Sequence, residues 1–208
     1  EIDFTVSLYD SLYYRLVDIK YRPLDSINAN RTNIYGDGMS YVLVADLIMF
    51  ENTYNPKYLN RFLINSTGMM LYRRDFIDSN DEPRWGKDPS MYHDGLIMWA
   101  YSYFIYRVNT LNPLFSNFSI SDSLVVPISK LDSNLYTLKN ISDKFEKEIT
   151  KTLEFYNRYW FGSKIGFKTS QSKKARPAHL NFQSAFGATY YYIGMVSKTM
   201  NTFKELIS

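Results

Sequence analysis

Residues 35–60 read YGDGMSYVLVADLIMFENTYNPKYLN, and residues 92–117 read YHDGLIMWAYSYFIYRVNTLNPLFSN. Sliding one over the other by 57 positions pairs Tyr35 with Tyr92, Asp37 with Asp94 and Gly38 with Gly95. The same slide pairs Ile48 with Ile105, Asn52-Thr53 with Asn109-Thr110, Asn55-Pro56 with Asn112-Pro113, and Asn60 with Asn117. A fainter third copy runs from Ser184, with Gly187 at the glycine position and Asn201-Thr202 as the later pair. Units that recur in this way bury their apolar faces on one another, so the repeat predicts a stacked helical array.

The repeats contain two kinds of helix. Met39–Phe50, Leu96–Val108 and Ala185–Val196 are apolar or aromatic nearly all round, the pattern of helices buried on most sides. Between them lie one-sided segments. Phe145, Ile149, Leu153, Tyr156 and Trp160 recur at steps of four or three, and Ser142 with Asp143 supplies a start signal. Tyr58-Leu59, Phe62-Leu63 and Met69-Met70 form another such face, with Arg61, Arg73 and Arg74 off it. Tyr9, Leu12, Tyr13, Leu16 and Ile19 form a third. Asn-Pro at 55–56 and 112–113 ends an inner helix and starts the next outer one. The only strand-like run is Leu124–Ile128, weakened by Pro127, so an all-α class is expected: repeated antiparallel helical hairpins over approximately 4–54, 57–109 and 142–203 of one domain, 1–208.

Composition narrows the function classes. The 208 residues carry 24 Lys+Arg and 21 Asp+Glu, no cysteine and 19 tyrosines. Without cysteine there is no disulfide scaffold, thiolate zinc site or cysteine nucleophile. No GxGxxG turn, P-loop, GxSxG elbow, EF-hand loop or HExxH is present, so no cofactor or metal is expected. No apolar run is long enough to span a membrane. The chain opens at Glu1 without methionine or a signal-peptide pattern, which predicts a processed or trimmed product whose address signal has gone.

Asp37-Gly38 opening an inner helix, Asn52-Thr53 through Tyr58-Leu59, Tyr92-His93-Asp94-Gly95, and Leu180-Asn181 followed by Ala185-Phe186-Gly187 together resemble the (α/α) toroid, six-hairpin glycosidase-like families of carbohydrate-active proteins. The resemblance covers most of residues 35–203 and implies a toroid-like fold, an exported location and a polysaccharide or oligosaccharide ligand. A closed ring of six hairpins needs roughly twice this length, at about 50–60 residues per repeat. An incomplete ring, an arc of three hairpins from a longer toroid, or an open array is therefore expected.

Asp37 and Asp94 occupy one repeat position, and the loops leading into inner helices of such an array gather at one end. Paired carboxylates there can act as acid and base or nucleophile on a glycosidic bond. Each can equally cap its helix, because a first-turn carboxylate satisfies free amides. His93 stands where the sister repeat has Gly36, so the geometry of the repeat does not demand it, and a histidine can serve as a general base. Elimination from a uronate is the other chemistry, with His93 or a tyrosine as base and Arg176 or Asn181 neutralising the carboxylate. Tyr35, Tyr92 and Trp85 are candidates to stack on sugar rings, Arg84 to meet a carboxylate, and His179 to contact the ligand. Tyr190, Tyr191 and Tyr192 are expected in core and inner-helix packing rather than as a substrate platform.

Charge is uneven. Between Phe155 and Lys204 there is no Asp or Glu, and the loop 161–177 holds Lys164, Lys168, Lys173, Lys174 and Arg176 beside Trp160, Phe161 and Phe167. It is either a solvated loop or a contact for an anionic partner. Nucleic acid is not expected, since the total charge is modest and the aromatics concentrate in helices. The rival class is a non-catalytic helical-repeat binding or scaffold protein, in which both aspartates are caps.

Overall fold

A computed structural model describes residues 5–13, 36–75, 91–110, 115, 118, 137–162, 164–168 and 180–196. Helix α1 spans Gly36–Thr53, α2 Pro56–Asp75, α3 Met91–Thr110, α4 Leu138–Tyr156 and α5 Leu180–Val196. Residues 5–13 are helical as well. Among the described residues there is no sheet, and the only bridge is an isolated one between Trp160 and Phe167. The fold is all-α. The run Leu124–Ile128 lies outside the described residues.

Contacts fix the direction of each helix. Tyr41 meets Trp99 with ring centroids 6.3 Å apart, and Glu51 accepts from Arg107 Nε at 2.6 Å. Early meets early and late meets late, so α1 and α3 run parallel. Tyr103 and Tyr192 lie 5.6 Å apart, and Phe186 sits against Gly95, so α5 runs parallel to α3 on its other flank. The outer helices oppose them. Phe62 meets Phe104 at 4.7 Å with the rings tilted, while Tyr101 donates to the Ser66 carbonyl, so α2 is antiparallel to α3. Asn109 donates to the Ser142 hydroxyl at 2.9 Å, and the Tyr156 hydroxyl donates to Asp94, so α4 is antiparallel too.

Helix α3 is the centre. It packs on α1, α4 and α5, and its contact with α5 is the most extensive among the described helices. Phe62, Tyr101, Phe104 and Phe145 are fully buried around it. Each such side chain contributes about 1.5–3 kcal/mol through the apolar surface it removes from water. Gly95 sets the spacing, because a Cβ there would come within 2.7 Å of the Phe186 ring. No larger residue lets α3 and α5 approach so closely.

Local signals explain the ends. Asn55 Oδ1 accepts from Lys57 N at 3.1 Å and Pro56 is the first residue of α2, so Asn-Pro caps and starts the outer helix as its chemistry requires. The turn before it places Tyr54 at a φ of 56°. Helix α4 begins earlier than the Ser142-Asp143 signal suggests. Thr137 is its cap, with Oγ1 accepting from Asn140 N at 3.1 Å, while Ser142 is buried as the partner of Asn109.

Two faces differ from the periodicity. In 5–13, Tyr9 and Tyr13 turn inward but Leu12 is exposed, because residues four apart share a line and Leu12 falls on the next one with Leu8. The inner helices α1 and α5 are not covered all round. Tyr41, Ile48 and Tyr191 are exposed on the side of the row away from α2 and α4.

Candidate functional site

The parallel row brings the first turns of α1, α3 and α5 to one end. Asp37 lies in the first turn of α1, Tyr92, His93 and Asp94 in that of α3, and Asn181 in that of α5. The side chains of Asp37, Tyr92, His93 and Asn181, and the whole of Tyr35, Arg84, Trp85, Arg176 and His179, lie outside the described residues.

Asp94 is the exception whose side chain is seen. It is fully buried and accepts from the Tyr156 hydroxyl, itself buried at the last turn of α4. A carboxylate removed from water needs such a donor. The bond therefore ties the start of α3 to the end of α4, which is a fixing role rather than an open one.

A second group of side chains forms a surface the sequence did not reveal. Trp99, Tyr103 and Tyr106 follow one line of α3 at spacings of four and three, opposite the face that meets α2 and α4. Tyr41 of α1 meets Trp99 edge-on at 6.3 Å. Tyr192 of α5 lies 5.6 Å from Tyr103 and 5.2 Å from Tyr106, and Tyr191 continues the contact at 5.5 Å. Tyr41 and Tyr191, at the two ends, are 54% and 59% exposed, and the four rings between them are half-buried. The result is an aromatic strip of two ring groups, Tyr41–Trp99 and Tyr103–Tyr106–Tyr192–Tyr191, along one face of three helices, about 8–10 Å apart axis to axis.

A polar pair sits within the strip. Glu51 accepts from Arg107 Nε at 2.6 Å and from the Tyr103 hydroxyl at 3.3 Å. The bond to Glu51 raises the pKa of Arg107, so the guanidinium stays charged. Burial, helped by the Glu51 charge, pushes the Tyr103 phenol up to about 12, so it remains a donor at neutral pH. Burial also raises Tyr192. Flat apolar rings with fixed hydroxyl donors between them suit a ligand that is apolar on its faces and polar on its edges.

The expectation that all three tyrosines at 190–192 belong to the core is corrected here. Tyr190 does, stacked on Phe167 and donating to Asn157 Oδ1 at 2.9 Å, and half-buried Tyr192 packs on α3, but Tyr191 is exposed. Successive helical residues point about 100° apart, so three in a row cannot share one environment. The signal for the strip was the four-and-three spacing of Trp99, Tyr103 and Tyr106, hidden because every other face of that helix is also apolar.

The basic stretch starts from a built turn. Phe161 N bonds the Gly166 carbonyl at 3.0 Å, Gly162 and Gly166 take φ of 88° and 72°, and Gln183 Oε1 accepts from Phe167 N at 3.1 Å. Lys168 is buried with its ammonium 4.2 Å from the Phe161 ring centre, whereas Lys164 is exposed. This part of the loop is anchored on α5. Lys173, Lys174 and Arg176 lie outside the described residues.

Among the described residues no group of His, Asp and Glu could hold a metal ion, and no helix is long and apolar enough to cross a membrane. No protein-family model, curated protein or solved structure matches the chain.

Proposed function

We propose that this chain is a carbohydrate-active α/α-hairpin domain, its row of inner helices forming an arc of a toroid, that binds a polysaccharide or oligosaccharide outside the cytoplasm. The observation that carries the reading is the aromatic strip formed by Tyr41 and Trp99 at one end and Tyr103, Tyr192 and Tyr191 at the other, flat rings of the kind sugar faces pack on. Sugars offer apolar faces to such rings and hydroxyls to the Tyr103, Glu51 and Arg107 groups. The strip is also what distinguishes this function from a helical scaffold, which has no need for polar-tipped rings aligned across three helices.

Affinity electrophoresis through gels containing neutral and uronate polysaccharides tests it. At least one polymer is expected to retard the wild-type chain, and Trp99→Ala with Tyr191→Ala to lose most of that retardation. Equal mobility in every polymer overturns the reading in favour of the scaffold.

The gathering of first turns at one end of the row favours a catalytic extension, with Asp37 and His93 at the mouth and Asp94 buried behind them as the tie to α4. Hydrolysis would release reducing ends, and elimination would generate unsaturated uronate absorbance. A chain that binds a polymer but yields neither product is a binder alone.

A further inference from the structure

Asp46 is a carboxyl with no obvious business in the core. It lies on α1 opposite the aromatic strip, fully buried, with Oδ2 lacking any hydrogen-bond partner. Its neighbour is the helical segment 5–13. The Tyr9 hydroxyl donates to Asp46 Oδ1 at 2.8 Å and lies 3.4 Å from the Val42 carbonyl oxygen. A phenol has one proton and cannot serve both acceptors fully. With Asp46 neutral, its own proton can go to the Tyr9 oxygen and the Tyr9 proton to Val42, leaving each donor used. With Asp46 ionised, the Tyr9 proton is drawn to Oδ1, the Val42 carbonyl keeps only its helical backbone bond, and a buried charge is left with one bare oxygen.

We infer that residues 5–13 form a proton-dependent clasp, held on α1 by the neutral Asp46–Tyr9–Val42 relay and loosened when Asp46 gives its proton to solvent. The groups around the relay agree. Burial pushes the Asp46 carboxyl up to about 8, against the opposing pull of the Tyr9 bond and the Arg61 charge, while the Asp10 charge adds to the rise. Burial and Asp46 also raise Tyr9, which therefore stays protonated. Arg61 is committed elsewhere: it donates to Asp10 Oδ1 at 2.8 Å and lies 3.9 Å over the Tyr13 ring. Lys57 also bonds Asp10, and Tyr58 stands beside them.

The sign follows from linkage. The docked carboxyl holds its proton up to about 8, whereas an uncovered one loses it in the ordinary carboxylate range. Docking is strongest in mild acid, weakens by up to about tenfold per pH unit between those limits, and is level above the upper one. Asp10 acts oppositely. Burial disfavours its charge, but the bonds from Lys57 and Arg61 prevail and hold it below its usual range, so its contribution is lost only in stronger acid.

Hydrogen–deuterium exchange of the 9–13 amides from pH 5 to 9, corrected for intrinsic rate, reads the clasp. Protection in the wild type is expected to fall by roughly tenfold per unit to about pH 8 and then level off, with α3 unchanged. Asp46→Asn and the apolar, similarly sized Asp46→Leu are expected to give flat profiles. Tyr9→Phe is expected to lower protection about tenfold at pH 5. A flat wild-type profile, a fall that persists in a folded Asp46 variant, or an equal fall in α3 overturns the inference.

Discussion

Asn52 and Asn109, 57 positions apart, make the same bond: each donates its side-chain amide to the carbonyl four residues earlier, Ile48 at 2.8 Å and Ile105 at 2.7 Å. The threonines that follow repeat the equivalence, Thr53 Oγ1 donating to Met49 at 2.7 Å and Thr110 Oγ1 to Tyr106 at 2.6 Å. Two Asn-Thr pairs thus finish two helices in one way, each side chain adding a second bond to a last-turn carbonyl four residues back. The repeat is a repeat of chemistry as well as of letters.

The two asparagines differ in one respect, and stability should show it. Asn109 also donates to the Ser142 hydroxyl, whereas Asn52 is exposed. Asn52→Ala is expected to change unfolding free energy by about 0.5 kcal/mol or less. Asn109→Ala leaves a buried hydroxyl without that donor and is expected to cost about 1–3 kcal/mol, measured by urea denaturation.

Gly95 and Gly187 offer a second contrast. A Cβ on Gly95 would strike Phe186 at 2.7 Å, and one on Gly187 would meet nothing within 4 Å. Gly95→Ala should destabilise by about 1–3 kcal/mol through overpacking of the α3–α5 contact. Gly187→Ala should stabilise by about 0.5–1 kcal/mol through helix propensity. Thermal melts of the two variants should therefore move in opposite directions.

Removing the Tyr156 hydroxyl deprives buried Asp94 of a donor. Tyr156→Phe is expected to cost about 1–3 kcal/mol, as for other buried polar groups that lose a partner. Asp94→Asn keeps an acceptor for Tyr156 and should be milder. Denaturation midpoints of both decide the order, and the reverse ranking would deny Asp94 its fixing role.

Tyr191 is exposed and meets Tyr192 along one edge. Tyr191→Ala should leave stability within about 0.5 kcal/mol. Its effect on polysaccharide retention should be a loss of roughly two- to tenfold, the worth of one ring contact at about 0.5–1.5 kcal/mol. A variant that unfolds no more easily yet binds as well as wild type would remove Tyr191 from the ligand surface.

The sequence made some of this plain and hid the rest for physical reasons. Phe145, Ile149, Leu153 and Tyr156 are buried as their periodicity required, because an outer helix has one wet face and one dry face. Ser142 mimicked a cap; what decided its role was Asn109, a partner more than thirty positions away that no local window contains. The strip was illegible for a related reason. On a helix apolar in every direction, no pattern says which of Trp99 or Tyr101 meets water, and only the arrangement of α1, α4 and α5 settles it. Asp46 was visible as a charge inside an apolar run, but its clasp to Tyr9 joins segments 37 positions apart.

The parallel course of α1, α3 and α5 has an electrical consequence. Each helix carries about half an elementary charge of positive sign at its first turn and the opposite at its last. Three positive poles gather at the end holding Asp37 and Asp94, and the antiparallel α2 and α4 bring two negative poles to the same end. Tyr156, in the last turn of α4, bonds Asp94 at the start of α3 and lies 5.4 Å from the Phe186 ring near the start of α5, so one negative pole faces two positive ones. Summed over these five helices, the backbone leaves only about half an elementary charge of positive sign at this end, so the mouth is nearly balanced before any side chain is counted.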